Sequence, residues 1–215
     1  MPPAVVKFGG SFAFSERLTE WITAIAACGG RAVVVPGGGP FADAVRAAQA
    51  RMGFADGAAH RMGVLAMEQY GCALAALDAR LEPAQSVADI RHGLRGGRVP
   101  VWLPARMALA DTAIPQSWDV TSDSLAAWLA GRIGAGRLVL VKHVAAAGEA
   151  GGAPGSVMAV DELAANNVVD GAFPAFLAES RVPAVILGAR DCGRLGSAVD
   201  GRAAGIAVVC REQHG

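Results

Sequence analysis

Seventeen of the chain's 19 basic side chains are arginines, and the two exceptions are Lys7 and Lys142. A chain that relies on arginine for positive charge keeps a lysine where a compact ammonium serves better than a planar guanidinium. The plainer alternative is accidental retention. Lys7 opens the run Lys7-Phe8-Gly9-Gly10-Ser11. Paired glycines at a strand end let backbone N–H groups approach phosphate oxygens with no Cβ in the way. A lysine beside them can neutralise charge on a transferring phosphoryl group. The competing reading is a tight strand-to-helix turn with an exposed lysine. A second run, Val35-Pro36-Gly37-Gly38-Gly39-Pro40, places consecutive glycines between an apolar stretch and a helical one. Ordering them is entropically unfavourable, which suits a ligand making close approach more than a flexible turn. A helix starting near Phe41 aims its positive end at that ligand. A third run, Trp118-Asp119-Val120-Thr121-Ser122-Asp123-Ser124, mixes hydroxyls with carboxylates ahead of a helix. Asp123 is either a helix cap or a carboxylate lying between the two lysines and orienting them. Neither glycine loop has the GxxxxGK[ST] pattern, and neither is a GxGxxG followed by an acidic residue about 20 positions on. A Rossmann dehydrogenase is therefore disfavoured.

The elements that must position these residues alternate. Residues 4–8, 32–35, 99–103, 138–141, 182–187 and 205–210 read as short apolar strands. Residues 16–27, 41–52, 58–80, 124–133 and 173–180 read as helices, with Ser15 as an expected N-cap and Gly29-Gly30 as a stop. Residues 148–155 are rich in Gly and Ala and read as a loop or tight hairpin. This order predicts an α/β fold: a three-layer α/β/α sandwich with a mostly parallel central sheet. With no repeat, linker or composition break, residues 1–215 are expected to form a single domain.

Bulk properties narrow the function classes. Acidic and basic residues balance at 19 each, which argues against a nucleic-acid partner. No apolar run approaches the roughly 20 residues of a membrane span, and the N-terminus does not read as a signal peptide. The cysteines at 28, 72, 192 and 210 form no CxxC pair. Reduced, mostly buried thiols in a cytoplasmic protein are expected.

The three runs together resemble the amino-acid kinase superfamily, whose members include acetylglutamate, aspartate, uridylate and isopentenyl phosphate kinases. The resemblance spans essentially the whole chain, with the motifs in family order. It implies an ATP-dependent small-molecule kinase using ATP and Mg²⁺, with no resident metal ligands and an expected homo-oligomeric state. It also implies that Lys7 stabilises the transferring phosphoryl group and that Asp123 organises the lysines. The resemblance assigns Gly9, Gly10, Ser11, Gly37, Gly38 and Gly39 to the acceptor and the phosphates of ATP. Lys142 stands where the family usually has a threonine facing the nucleotide, and His143 follows it. Many members carry a later lysine that touches ATP. This chain has none after Lys142, and the region Asn166-Asn167-Val168-Val169-Asp170-Gly171 offers an aspartate instead. Either Lys142 supplies the second positive charge, or Mg²⁺ and backbone amides do. In the latter case Asp170 is a candidate to hold Mg²⁺ through water.

Within the superfamily, Ala59-His60-Arg61-Met62 and Ala66-Met67-Glu68-Gln69-Tyr70-Gly71 resemble the small kinases of methanofuran-type cofactor synthesis. Those enzymes convert an aminomethylfuran-methyl phosphate to its diphosphate. His60 would give a polar contact, Met67 and Tyr70 a soft apolar wall for a small ring, and Arg61 a phosphate clamp. Plain core packing is the alternative for Met67 and Tyr70, and an ordinary helix-start or surface histidine for His60. ATP is expected toward the C-terminal half, above the strand ending at Lys142, and the acceptor near the second glycine loop and His60. Rival readings are a uridylate or isopentenyl phosphate kinase, and a non-catalytic nucleotide-binding protein on the same fold.

Overall fold

The computed structural model describes residues 1–143 and 156–210. The expected loop at 148–155 lies outside them. The described strands are β1 (Ala4–Phe8), β2 (Ala32–Pro36), β3 (Leu81–Ala84), β4 (Val99–Trp102), β5 (Arg137–Val141), β6 (Val157–Ala159), β7 (Ala184–Leu187) and β8 (Ile206–Val209). They form one sheet in the order β3-β4-β2-β1-β5-β7-β8-β6. Its strand pairs are parallel except β7 with β8, which run antiparallel. The helices are α1 (Leu18–Ala26), α2 (Gly39–Met52), α3 (Asp56–Ala76), α4 (Val87–Arg95), α5 (Ala105–Ala108), α6 (Ser122–Ile133), α7 (Val160–Ala165), α8 (Phe173–Ser180) and α9 (Leu195–Val199).

The strands are apolar on both faces because both faces are covered. Val5, Val33, Val35, Leu138 and Leu140 point into one core with Leu125 and Leu129 of α6 and Phe173 and Leu177 of α8. Their neighbours Val6, Phe8, Val34, Val139 and Val141 point into the other, with Trp21, Ile22 and Ile25 of α1 and Leu195 of α9. The result is the expected α/β/α sandwich. No helix of the described residues is long and apolar enough to cross a membrane.

The site follows from this topology. β1 lies between β2 and β5, so the chain leaves β1 in opposite directions on its two sides. Clefts form at the C-terminal ends of strands at such switch points. The register pairs Phe8 with Pro36 on one side and with Val141 on the other. Lys7, both glycine loops and Lys142 are thereby brought to one edge of the sheet. Below that edge, Phe12 stacks on Phe8 at 4.8 Å and meets Trp21 edge-on at 5.8 Å. Phe12 is fully buried and anchors the single turn Gly10–Phe12 that carries the first glycine loop. Truncating Phe12 to Ala would cost about 3–5 kcal/mol and release that loop.

Several elements depart from the sequence expectation. α1 starts at Leu18, and Ser15 Oγ accepts from Arg17 N one step before the helix instead of capping it. α2 starts at Gly39, ahead of Phe41, with Gly39 itself at φ +54°. β3 was not anticipated; it carries Glu82 and Pro83, residues tolerated there because β3 is an edge strand. β6 and the helices α4, α5, α7 and α9 were also not anticipated. α4 does carry a local signal, since the Ser86 side chain accepts from Asp89 N at 3.1 Å. Of the cysteines, all free, only Cys28 is buried; Cys72 and Cys210 are exposed and Cys192 is half-buried.

Candidate active site

Lys7 emerges from β1, Lys142 follows β5, and Asp123 lies in the first turn of α6. Asp123 Oδ1 lies 3.0 Å from Lys7 Nζ, and Lys142 Nζ donates to Oδ2 at 2.6 Å. All three are buried, with 5%, 9% and 4% exposure for Lys7, Lys142 and Asp123. Asp123 is thus the carboxylate between two lysines, and it is also a residue of α6's first turn. The approach of Lys7 to Oδ1 is off the hydrogen-bonding direction, so Oδ1 accepts no well-formed bond.

Electrostatically the trio is unbalanced. Burial opposes the charge on Asp123, but Lys142 and Lys7 outweigh it and hold the carboxyl at about 2. Lys142 is moved down to about 8, chiefly by burial, with Asp123 resisting and Lys7 adding to the shift. Among the described residues, this cluster sets two lysines against one carboxylate. An anion is the group that completes such a site.

The glycines serve two purposes. A Cβ on Gly10 would lie 2.2 Å from Gly39 N, and one on Gly37 would lie 2.4 Å from Gly10 N. The two loops pack backbone against backbone, so part of their glycine content is required by each other and not by a ligand. Gly9 N donates to Val141 O and Gly37 N to Phe8 O, tying both loops to the sheet. Gly38 is held close to Ala42 and Gly39 rests against the ring of Tyr70.

Beside the loops is a pocket of about 240 Å³. Gly10, Ser11 and Gly37 to Gly39 form one end, and Thr121 and Ser122 line it from α6. Val64, Met67, Val120 and Leu125 supply apolar wall, and Asp43, Arg46, His60 and Trp118 supply polar or aromatic groups. His60 is buried, and its Nδ1 lies 3.2 Å from Ser117 O. A carbonyl only accepts, so Nδ1 is the donor in this contact and Nε2 is the ring nitrogen left for another partner. Trp118 Nε1 donates to Gln49 at 2.7 Å, and the Arg46 guanidinium lies 4.5 Å from its ring centre. Gly63 makes room for this ring, since a Cβ there would lie 3.3 Å from Trp118 Cζ3.

The sequence-derived candidates separate accordingly. Lys7, Asp123 and Lys142 converge; Gly10, Ser11, Gly37, Gly38, Gly39 and His60 line the pocket; Gly9 is buried beneath it. His143 is exposed and meets Phe12 edge-on at 5.0 Å. Arg61 is exposed and outside the pocket lining, because the position next to His60 lies about 100° further round the helix. Tyr70 belongs to the opposite core and supports Gly39 from below, while Met67 does face the pocket. Asp119 is exposed in a local turn with Ser117 and takes no part in the lysine cluster. Asp170 faces the N-terminus of α6: its Oδ2 accepts from Thr121 N, Thr121 Oγ1 and Ser124 N, and its Oδ1 from Ser124 Oγ. Three of these four donors meet Oδ2 and one meets Oδ1, so most of the carboxylate's roughly four lone-pair directions are engaged within the protein. Asp43, Arg46, Trp118 and Thr121 were not assigned from sequence. The signal that could have found Asp43 and Arg46 is their position one and two turns along the helix that begins at Gly39.

A sequence profile of the Amino acid kinase family matches residues 2–146. The chain belongs to that family and is a phosphotransferase, a kinase. It is 23% identical over 208 residues to the (5-(aminomethyl)furan-3-yl)methyl phosphate kinase of Methanocaldococcus jannaschii, covering 92% of this chain and 93% of that one. Among solved structures it is similar to the uridylate kinase of Archaeoglobus fulgidus, with a TM-score of 0.70 at 18% identity over 97% of this chain and 100% of that one. It is also similar to the UMP kinase of Bacillus anthracis, with a TM-score of 0.71 at 13% identity over 96% and 95% of the two chains. At these identities the structural likenesses establish the amino-acid kinase fold.

Proposed function

We propose that this kinase transfers the γ-phosphoryl group of ATP to a small phosphomonoester held in the pocket beside the glycine loops. The acceptor we favour is an aminomethylfuran-methyl phosphate, giving its diphosphate, as in methanofuran-type cofactor synthesis. The observation that carries this reading is the pairing of Lys7 and Lys142 on Asp123 next to that pocket. A buried excess of positive charge suits a transfer in which both acceptor and donor are phosphates. The likeness to the furan phosphate kinase, over nearly the full length of both chains, supports the choice of ring.

In this reading an acceptor phosphate oxygen attacks the γ-phosphorus in line, and the bond from that phosphorus to the departing ADP oxygen breaks. The acceptor's second ionisation lies near a pKa of about 6, so its oxygen is already charged at neutral pH and no proton has to be removed. Catalysis then consists of positioning and charge neutralisation. Lys7 and Lys142 neutralise the phosphoryl oxygens, and Asp123 keeps the ammonium groups from drifting apart. Backbone N–H groups of the glycine loops other than those of Gly9 and Gly37, which bond to the sheet, would meet the transferred group. Val64, Met67 and Trp118 wall the ring, and His60 meets a polar substituent. Among the described residues no three His, Cys, Asp or Glu side chains converge. In this reading Mg²⁺ accompanies the nucleotide phosphates.

The test incubates the protein with ATP and Mg²⁺ and either the furan phosphate ester or uridine monophosphate. Diphosphate formation from the furan ester alone is expected. Efficient formation of uridine diphosphate with the furan ester inert would overturn the proposed acceptor.

A further inference from the structure

We propose that Asp170 is a positioning residue for phosphoryl transfer: from the C-terminal half of the chain it clamps the first turn of α6 and so fixes Asp123 between its lysines. The inference rests on the reading of Lys7, Asp123 and Lys142 as the transfer site.

The N-terminus of α6 has no local cap. Thr121 occupies the N-cap position, but its side chain makes no capping bond to its own helix. Its hydroxyl is donated to Asp170 Oδ2 instead, at 2.7 Å, across 49 positions of sequence. The same oxygen receives Thr121 N and Ser124 N, each at 3.0 Å. The other oxygen receives the Ser124 hydroxyl. The backbone joins the same two segments, since Ala172 N donates to Asp119 O at 2.9 Å.

What the clamp grips is specific. Thr121 and Ser124 bracket Ser122 and Asp123, so fixing the outer pair fixes the inner one. Ser122 and Thr121 line the acceptor pocket, and Asp123 holds both lysines. A small rotation of this turn would move a pocket wall and the lysine anchor together. A neutral Ser or Asn would satisfy the helix's free N–H groups as a cap. Here a carboxylate is used despite burial and the nearby negative charge of Asp123, both of which push the Asp170 carboxyl upward. Its charge is met by the positive end of α6 and four donors. Charge-assisted bonds of this kind hold geometry more tightly than neutral ones.

The test uses Asp170→Asn, whose amide must turn donors toward donors, and Ser124→Ala, which removes one clamp bond and keeps the fold if the first variant fails to fold. The chain has two lysines, so protein isotope-labelled at lysine Cε gives two resonances and reports on the cluster without any substrate. Asp170→Asn or Ser124→Ala is expected to shift the Lys142 resonance. Ile25→Val, a core change on the other face of the sheet, is expected to leave it in place. In turnover of ATP with the furan phosphate ester, Asp170→Asn should lower kcat about tenfold or more, and that loss should largely vanish in a Lys142→Ala background. Unmoved lysine resonances, or kcat losses that multiply independently, would show Asp170 to be a stabilising cap and overturn the proposal. If Lys142→Ala alone turns over like wild type, the transfer-site reading fails and the inference falls with it. If Lys142→Ala is impaired while Asp170→Asn is not, the inference alone fails.

Discussion

Lys142 Nζ lies 2.6 Å from Asp123 Oδ2, a buried contact between the end of β5 and the start of α6. Burial lowers the Lys142 pKa from 10.5 to about 8, against the attraction of Asp123, which resists the shift. If Lys142 meets phosphate as proposed, its ammonium is lost in mildly alkaline solution. In kcat/KM for ATP, which reports the free enzyme, we expect an alkaline limb near pH 8. Lys142→Arg cannot deprotonate in this range and should abolish the limb, even if its absolute rate is lower. A wild-type profile flat to pH 10 would remove Lys142 from the nucleotide site.

The same depression sets a stability trend. Between pH of about 8 and 10.5 the unfolded chain holds the Lys142 proton more firmly than the folded one. The unfolded state binds more protons, so stability attributable to Lys142 rises with pH across that window. Asp123, lowered from 3.8 to about 2, contributes stability that is present above the first value and lost as pH falls toward the second. Urea unfolding midpoints should therefore rise with increasing pH through both windows. In Lys142→Met the alkaline rise should disappear.

Lys7→Ala should lower kcat by about 100-fold or more while leaving the fold intact. Asp123 retains Lys142 as a partner in this variant, so no buried carboxylate is left alone. Steady-state kinetics and thermal melting on the same preparation check both halves. Turnover near wild type would mean that the Lys7 ammonium is not at the transferred phosphoryl group.

The two lysines of the cluster were legible in the sequence because lysine occurs only twice in this chain, both times at the end of an apolar strand. Asp123, one of 11 aspartates, stood out through its place in the Thr121-Ser122-Asp123-Ser124 run. Parallel strands in register then carry strand ends to one edge, which a linear reading can anticipate. The pocket was less legible because it depends on helix rotation. Reading along α3 suggested Arg61 beside His60, but adjacent helical positions diverge by about 100°. The pocket's arginine is Arg46, visible only once α2 is known to begin at Gly39. The bonds of Asp170 to α6 were not legible, because nothing in its own neighbourhood shows the donors that meet it. They arrive from residues 46 to 49 positions earlier.

Gly10→Ala tests whether the two loops must touch. Its methyl would sit 2.2 Å from Gly39 N, a contact that backbone atoms on both sides cannot relieve by a rotamer change. We expect a loss of about 100-fold in kcat and a lowered melting temperature. Gly196→Ala, within α9 and with nothing within 4 Å of the added methyl, is the matched control. It should be neutral or stabilising by about 0.5–1 kcal/mol, the usual gain from replacing a helical glycine. Equal activities for the two variants would mean that the loop contact is dispensable.

Trp118 tests the acceptor end. Its indole is held on one side by Gln49, capped by Arg46 and seated over Gly63, so it is a fixed wall and not a swinging side chain. Removing it opens the pocket to water and takes away the flat surface against which a small ring would lie. Trp118→Ala should therefore raise KM for the phosphomonoester by about tenfold and leave KM for ATP within about twofold. Trp118→Phe keeps the flat surface but loses the bond to Gln49, and should fall between the two. The contrast between substrates is the informative part. A general loosening of α2 and α3 would weaken both, whereas loss of a pocket wall weakens only the ligand that touches it. If KM for ATP rises as much as KM for the acceptor, the pocket beside the glycine loops does not belong to the acceptor alone.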